Sequence, residues 1–176
     1  MIGWRGASRY YSKEYRNAFI LECKAINYAI QNMNMTNITL MIPFCRTVEE
    51  CKKVLKIMDD NGLKRGENGL KIYIMCEIPS NVIEADLFAP LIDGVSIGGN
   101  DLLQLTLGVD RDSDMITHLS DHTNISYRRL ISQAIKTYKK YGVKVGFCGQ
   151  QPSDSIEFCN FLIQEGIDSI SVIPDS

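Results

Sequence analysis

Two carboxylates and a thiol each follow an apolar stretch of this 176-residue sequence. Glu77 comes after KIYIMC, Asp101 after GVSIGGN, and Cys148 after KVGF. If these stretches are neighbouring parallel strands, about 4.8 Å apart, Glu77 and Asp101 could bind one hard cation. Mg²⁺ is usually held in this way, by one or two carboxylates together with substrate and water oxygens. The alternative, that both residues belong to turns or cap the following helices, stays open from spacing alone.

The thiol and a glycine pair are further candidates for a site. Cys148 precedes Gly149 at the end of its stretch, where a thiol could act as nucleophile or as acid/base if its pKa is tuned. A buried structural cysteine is the alternative. Gly98 and Gly99 would let a ligand approach the backbone closely, although the pair matches neither G-x-G-x-x-G nor a P-loop.

Arginines could supply the counter-charge for an anionic ligand. Arg5 and Arg9 lie on either side of a glycine, and Arg111 lies in a long polar stretch. Arginines beside a cation suit a phosphate or a carboxylate, whereas isolated arginines more often belong to a solvated surface. His118 and His122 are four residues apart, but H-L-S-D-H lacks the glutamate of H-E-x-x-H. We therefore predict that both are loop residues and not zinc ligands.

Five apolar stretches predict the strands that would position these groups. They lack a clean two-residue alternation, which is typical of strands buried on both faces in a parallel sheet covered by helices. The predicted strands are 37–44, 70–78, 93–99, 143–149 and 168–173. We therefore expect an α/β fold, either doubly wound or a partial (β/α) TIM barrel with about five parallel strands, since a whole barrel has eight.

Helical spacing of apolar residues alternates with these strands. Helices are predicted over 12–31, from Thr47 to near Gly62, over 81–91, over 124–141 and over 153–165. Thr47 with Glu50 matches a capping box, Ser80 could cap the third helix, and Ser153 or Asp154 could begin the last. The polar stretch 108–123 is long enough to be a functional loop.

Composition excludes several classes of protein. Hydrophobic residues make up 45% and charged residues 23%, and the net charge is −2, so no basic excess favours nucleic acid or an anionic membrane. No apolar run approaches the roughly 18 residues of a membrane span, and the N-terminus lacks the apolar core of a signal peptide. Six cysteines without a C-x-x-C pair are expected to be reduced, which predicts a cytoplasmic location.

Six blocks distributed over the whole chain resemble a known family. They are MIGWRGASRY (1–10), MIPFCRTVEE (41–50), LKRGENGLKIYIMCEIPSN (63–81), DGVSIGGNDLLQLTLGVDRDS (93–113), KVGFCGQQPSD (144–154) and EGIDSISVIPDS (165–176). Together they resemble the C-terminal PEP/pyruvate-binding domain of the PEP-utilising enzymes. That family includes phosphoenolpyruvate synthase, pyruvate phosphate dikinase and enzyme I of the sugar phosphotransferase system. GENGLK and the CGQ block resemble the synthase more than the other two.

The resemblance implies a role for each matched residue. Arg5 and Arg111 would hold the phosphate of PEP, Glu77 and Asp101 would bind Mg²⁺, and Cys148 would be the general acid that protonates the enolate carbon. Arg9 would support the site. The residues expected to line the substrate pocket are Gly98, Gly99 and Asn100. Position 99 departs from the family, which usually has Ser or Thr there.

The resemblance also implies partners. Residues 1–176 would be the C-terminal portion of a (β/α)₈-barrel domain. A phosphohistidine domain and an ATP-grasp domain would be needed for conversion of ATP, pyruvate and water to PEP, AMP and phosphate, so the chain alone is expected to be inactive. Alternatives are a dikinase-type domain, a pyruvate aldolase or lyase, and a non-catalytic fragment that forms a homodimer through the open edges 37–43 and 168–172.

Overall fold

Five parallel strands form one sheet in the computed structural model, which describes residues 3–174. The strands are β1 (Thr39–Ile42), β2 (Lys71–Cys76), β3 (Gly94–Gly98), β4 (Lys144–Cys148) and β5 (Ser169–Ile170). Their order across the sheet is their order along the chain. Every predicted strand is confirmed with shorter bounds, and the last is reduced from 168–173 to the two residues Ser169–Ile170. Residues 1–2 and 175–176, which belong to the first and last family-like blocks, lie outside the described residues.

The sequential strand order decides between the two predicted architectures. A doubly wound sheet reverses its strand order at a switch point, whereas a (β/α) barrel adds each strand beside the previous one. In register, Ile74 of β2 lies beside Val95 of β3, which lies beside Val145 of β4. The described sheet therefore has the barrel type of winding, with β1 and β5 at its two edges as expected.

Nine α-helices accompany the strands in the described residues. They are α1 (Ala7–Tyr10), α2 (Arg16–Asn32), α3 (Val48–Asp60), α4 (Pro79–Ile83), α5 (Ala85–Phe88), α6 (Gly99–Leu107), α7 (Ile125–Lys140), α8 (Gln151–Asp154) and α9 (Ile156–Gln164). Three short 3₁₀ turns also occur, at Glu67–Gly69, Ala89–Leu91 and Thr117–Leu119. Residues 108–123 form a loop apart from the last of these turns, in agreement with prediction.

The hydrophobic core lies on one face of the sheet. Ile74, Val95 and Val145 are fully buried there, together with Phe88 of α5 and Ile135 of α7. Alternate residues of β2 and β4 point to the opposite face and are only partly buried. The prediction that all strands are buried on both faces is therefore right for β3 and wrong for the other four, since β1 and β5 also contain exposed residues. The less buried face leads to the cavities described below.

Two predicted capping interactions are absent, because the side chains of Glu50 and Ser80 form hydrogen bonds with residues outside their own helices. Thr47 caps α3 as predicted, accepting the Glu50 N–H at 3.2 Å. Glu50 does not complete the capping box, since its carboxylate accepts from Arg46 N and Tyr11 Oη at 2.7 Å each. Ser80 is not a cap, because its hydroxyl donates to the Arg46 carbonyl.

The last predicted helix is divided into two. The short α8 begins at Gln151, before Ser153 and Asp154, and α9 is capped by Ser155, whose hydroxyl accepts from Phe158 N at 3.2 Å. The region predicted as one helix over 81–91 also contains two short helices and a 3₁₀ turn. Helix α6 was not predicted, although it carries Asp101 in its first turn.

Candidate active site

The ends of β2, β3 and β4 open into one cavity of about 230 Å³. It is lined by Met75, Glu77, Gly98, Asn100, Asp101, Arg111, Cys148 and Gly149. A second cavity, of about 550 Å³, adjoins it and contains Arg5. Asp101 and Arg111 line both cavities, so the two are parts of one site. The structure therefore brings together the predicted catalytic, metal-binding and arginine residues.

Glu77 is a buried carboxylate at the end of β2. Its Oε1 accepts a hydrogen bond of 2.7 Å from the backbone N–H of Phe44, beyond the end of β1. Burial raises the pKa of Glu77, and the nearby Asp101 carboxylate raises it further, whereas the Phe44 N–H and Arg5 lower it. Negative charge at this position is thus costly without a cation.

Asp101 lies in the first turn of α6 and is also buried. Its Oδ2 accepts a hydrogen bond of 2.9 Å from Arg5 Nη2, which forms an ion pair across the site. The alternative that Glu77 and Asp101 serve merely as turn or capping residues does not account for this convergence. Both carboxylates line the same cavity, at the ends of adjacent strands.

The two carboxylates fit a Mg²⁺ ion. Among residues 3–174, no three His, Cys, Asp or Glu side chains come together as a metal site. A cation here would therefore have two protein carboxylates and would take its remaining ligands from substrate and water. That is the pattern typical of Mg²⁺, which keeps several waters and accepts substrate oxygens.

The segment that carries Arg5 is fastened to the end of β1. Arg46 Nη1 donates to the Arg5 carbonyl at 3.2 Å, and Ala7 N donates to the Pro43 carbonyl at 3.0 Å. Gly6 has a φ of +60° and no room for a Cβ, which would collide with Phe44. This close approach explains the glycine that follows Arg5.

Arg111 and Arg9 occupy different places. Arg111 lies in the loop 108–123 and lines both cavities, as expected of a ligand-binding arginine. Arg9 lines neither. Its guanidinium carbon lies 4.5 Å from the ring centre of Tyr15 and 5.1 Å from that of Trp4. Arg9 therefore packs against aromatic side chains near the Arg5 segment.

Cys148 presents a thiol to the smaller cavity. Burial raises its pKa above the ordinary value of 9.0, while a hydrogen bond of 3.2 Å from the Ser96 hydroxyl partly offsets the rise. A raised pKa keeps the thiol protonated near neutral pH. Its state therefore suits proton donation better than nucleophilic attack.

Gly99, which was expected to line the substrate pocket, lines neither cavity, because neighbouring side chains fill the space beside it. A Cβ at this position would lie 2.7 Å from Gln151 Oε1 and 2.9 Å from Tyr127 Oη, and would also collide with the Phe147 ring. Gln151 Nε2 donates to Asn100 Oδ1 at 3.0 Å, and Gln150 N donates to the same oxygen at 3.3 Å. The Asn100 amide nitrogen is thereby left as a donor for the cavity that Asn100 lines.

Three further residues at the site were missed by the sequence reasoning. Phe44 and Gln151 act on predicted site residues through contacts that no local motif indicates. Gln104 is 2% exposed, lines the larger cavity, and has no hydrogen-bond partner for either amide atom among the described residues. Its position three residues after Asp101, on the same face of a helix, is the one available sequence signal.

The two histidines line neither cavity. His118 is in a 3₁₀ turn, and His122 packs edge-on against Phe158, with ring centres 5.6 Å apart. All six cysteines are free thiols in the structure. Within the described residues, helices that are both long and apolar enough to cross a membrane are absent.

The whole chain matches a single family. Residues 1–176 fit the family described as "PEP-utilising enzyme, PEP-binding domain", and the chain belongs to that family. It is 58% identical to the phosphoenolpyruvate synthase of Aquifex aeolicus, 57% to that of Synechocystis and 51% to that of Escherichia coli. Each match covers all of this chain but only 21–22% of the relative. The chain thus spans about a fifth of the length of these curated relatives.

Solved structures with little sequence similarity share the fold. An aldolase/citrate lyase family protein from Burkholderia cenocepacia superposes with a TM-score of 0.56 at 18% identity, over 78% of this chain and 58% of that chain. An HpcH/HpaI aldolase from Desulfitobacterium hafniense gives 0.55 at 14% identity, over 93% and 73%. These matches bear on the fold alone, and they confirm the expected α/β architecture of TIM-barrel type.

Proposed function

We propose that this chain is the PEP/pyruvate-binding catalytic domain of a phosphoenolpyruvate synthase and forms the C-terminal portion of a (β/α)₈ barrel. The complete enzyme would convert ATP, pyruvate and water to PEP, AMP and phosphate. The observation that carries the proposal is the convergence of Glu77, Asp101, Arg111 and Cys148 on one cavity, with Arg5 in the cavity that adjoins it. The family match and the synthase relatives support the same assignment.

Glu77 and Asp101 are the residues that would hold Mg²⁺. When bound, the metal would supply Lewis-acid stabilisation of the negative charge that develops on the pyruvate carbonyl oxygen. Asn100 would donate its amide N–H to the same ligand, because its oxygen is already occupied by Gln150 and Gln151. These groups fix the keto acid in the smaller cavity.

The arginines would balance charge on the transferring phosphoryl group. Arg111 lines both cavities and Arg5 lines the larger one, so a phosphoryl group held where the two cavities adjoin would lie near both guanidinium groups. Preorganised cations at the place where charge develops are the main protein contribution to such transfers. The resemblance to the PEP-utilising enzymes implies that the donor would be a phosphohistidine on another domain. In this chain, His118 and His122 line neither cavity.

Cys148 would handle the proton on the methyl carbon of pyruvate. Towards PEP, the Cys148 thiolate would take a proton from C3 and become the thiol, and the enolate oxygen would attack phosphorus as the bond from phosphorus to the donor imidazole breaks. In reverse, the enolate forms when the phosphoryl group departs, and the Cys148 S–H bond breaks as its proton moves to C3. The raised pKa of this thiol suits it to give that proton rather than to stay ionised.

Calorimetric titration with oxalate, a planar mimic of the pyruvate enolate, tests the proposal. We expect saturable binding to the chain that requires Mg²⁺ and is lost in E77A and D101A. The exposed Glu14 provides a matched control, E14A, which should bind like the unaltered chain. Metal-independent binding, or binding that survives E77A, would contradict the assignment, provided that circular dichroism shows each variant to be folded.

Turnover provides a second test. We expect no steady-state formation of PEP from ATP and pyruvate by the chain alone, because the phosphohistidine and ATP-grasp domains are its proposed partners. A sustained rate from purified chain would overturn this part. Light scattering on the same samples tests the alternative homodimer, for which the edge strands β1 and β5 are the candidate contacts.

A further inference from the structure

We propose that Phe44 is a positioning residue that holds a metal-binding carboxylate and a substrate-binding arginine in place together. This inference rests on the proposed function, which assigns those roles to Glu77 and Arg5. Phe44 directly follows Pro43 beyond the end of β1, and it is 3% exposed. It contacts no reacting atom in the proposal, so its effect on binding would pass through its two neighbours.

The backbone of Phe44 adopts a conformation that bulky residues rarely take. Its φ is +45°, in the left-handed region. Outliers of this kind persist only where the surroundings hold them, and they cluster at ligand sites. In this conformation the Phe44 N–H donates to Glu77 Oε1 at 2.7 Å, which fixes one oxygen of the carboxylate.

Neighbouring groups hold the turn around Phe44 rigidly. Asn81 Nδ2 donates to the Cys45 carbonyl at 2.6 Å, and Ser80 Oγ donates to the Arg46 carbonyl at 2.8 Å. Asn81 is fully buried, and its Oδ1 accepts from Glu77 N at 3.2 Å. The turn after β1 and the turn after β2 are therefore linked by hydrogen bonds, which can hold the unfavourable backbone conformation of Phe44 in place.

The ring of Phe44 lies against two cations. The guanidinium carbon of Arg5 is 4.3 Å from the ring centre, and that of Arg46 is 4.7 Å from it. Both distances are within the range of attractive cation–π contacts. Arg5 extends beyond the ring to its 2.9 Å ion pair with Asp101. The ring therefore gives a long, flexible side chain one preferred path into the larger cavity.

These contacts form a closed circuit around the site. Glu77 binds the Phe44 N–H, the Phe44 ring carries Arg5, and Arg5 pairs with Asp101, whose carboxylate acts electrostatically on Glu77. The two functions of Phe44 use different atoms. Its N–H serves the carboxylate pair and its ring serves the arginine, so a side-chain substitution separates them.

The variant F44L makes that separation, because leucine keeps the N–H and much of the buried volume but has no π face. We expect F44L to bind oxalate with Mg²⁺ within about twofold of the unaltered chain. We expect its affinity for PEP with Mg²⁺ to fall about three- to tenfold, since PEP carries the phosphate that Arg5 would hold. In an R5Q background, F44L should change PEP affinity less than twofold.

Other results would overturn the proposal. Equal losses of oxalate and PEP affinity would mean that the ring has a structural role only. Unchanged PEP affinity, or a full additional loss in the R5Q background, would mean that Phe44 does not act through Arg5. Failure of the unaltered chain to bind either ligand would instead count against the proposed function.

A second measurement tests the N–H contact without any ligand. The amide proton of Phe44 should resonate downfield in a ¹⁵N-correlated NMR spectrum, because it donates to a carboxylate. It should move upfield in E77A, which removes the acceptor, and less in E77Q, which keeps an acceptor oxygen. An amide resonance that is unchanged in E77A would overturn the assigned contact even if ligand binding behaves as proposed.

Discussion

Arg5 Nη2 lies 2.9 Å from Asp101 Oδ2, although the two residues are 96 positions apart. The ion pair places a positive charge at the carboxylates proposed to bind Mg²⁺. Arg5 therefore offsets the charge of Asp101, and it would compete with a metal ion bound by that carboxylate. The same guanidinium lines the larger cavity, where a phosphoryl group would benefit from it.

This competition predicts opposite effects of R5Q on metal and substrate. We expect the Mg²⁺ affinity of the ligand-free chain to rise about two- to fivefold, because a nearby cation is removed; the gain is limited since the Arg5 side chain is 40% exposed. PEP affinity should fall in the same variant. Calorimetry with Mg²⁺ and then PEP measures both. R16Q, at an exposed arginine of α2, serves as control, and parallel changes in the two affinities would refute the competition.

E77Q should stabilise the metal-free chain while removing its metal binding. The pKa of Glu77 is raised above 4.5, so the folded chain holds this proton more tightly than the unfolded chain. The free energy of unfolding of the unaltered chain therefore falls as pH rises through this range. Glutamine avoids the loss, and its oxygen can still accept the Phe44 N–H. At neutral pH we therefore expect E77Q to be more stable than the unaltered chain and to have the higher Tm.

Denaturant titrations at two pH values check this stability difference. It should be present at pH 7 and disappear near pH 4, where the side chain is protonated in both states. Millimolar Mg²⁺ should reverse the order, because it binds the folded unaltered chain and not E77Q. If E77Q were less stable than the unaltered chain at pH 7 without metal, the ionised Glu77 carboxylate would not destabilise the folded state.

The thiol of Cys148 should titrate above 9.0, because burial raises its pKa. The rate of alkylation by iodoacetamide, measured against pH in a C159S background, reports this titration, since Cys159 is the other partly exposed cysteine. S96A should move the midpoint higher still, because the Ser96 hydroxyl donates to the sulfur and favours the thiolate. A midpoint below 8 would be incompatible with a thiol that stays protonated at neutral pH.

Introducing a hydroxyl at position 99 should destabilise this chain. In G99S the new Cβ would meet Gln151 Oε1, Tyr127 Oη and the Phe147 ring, and overpacking of this kind typically costs about 1–3 kcal/mol. Thermal unfolding measures the cost. G99S combined with Q151A should recover part of it, because one of the three obstacles is removed. Equal stability of G99S and the unaltered chain would show that the pocket rearranges freely.

Much of the site was predictable because polar residues directly follow apolar strands. Glu77 follows the apolar run 72–76 and Cys148 follows Val145, Gly146 and Phe147, so both were candidates by position, although a turn or a buried structural role stayed open for each until the family resemblance was considered. Helix α6 was not predicted, because Gly99, Asn100 and Asp101 all have low helix propensity. Its first turn forms nonetheless, packed at the end of β3.

The remaining features depend on contacts between distant residues. Nothing near Arg5 in the sequence indicates Asp101 as its partner, although its residue type suggested a contact with an anionic ligand. The positive φ of Phe44 has no signal in its residue type, which ordinarily avoids that region. Ser80 and Ser155 are equally plausible caps by type, and a tertiary acceptor at Arg46 decides which of them caps a helix.

The strand order of the sheet determines which part of the molecule unfolds locally most readily. Tyr73 pairs with Gly94 across a short stretch of chain, whereas β1 pairs on one side only and is at an edge. Loop closure favours the central pairing, and edges open most readily. Phe44 follows the end of β1, and the segment that carries Arg5 is hydrogen-bonded to it. Cys148 ends β4 and Asp101 follows β3, two strands that lie inside the sheet. Brief fraying of one edge would therefore disconnect the arginine from the carboxylates while the core stays intact, so competence to bind ligand can be lost well before the chain unfolds.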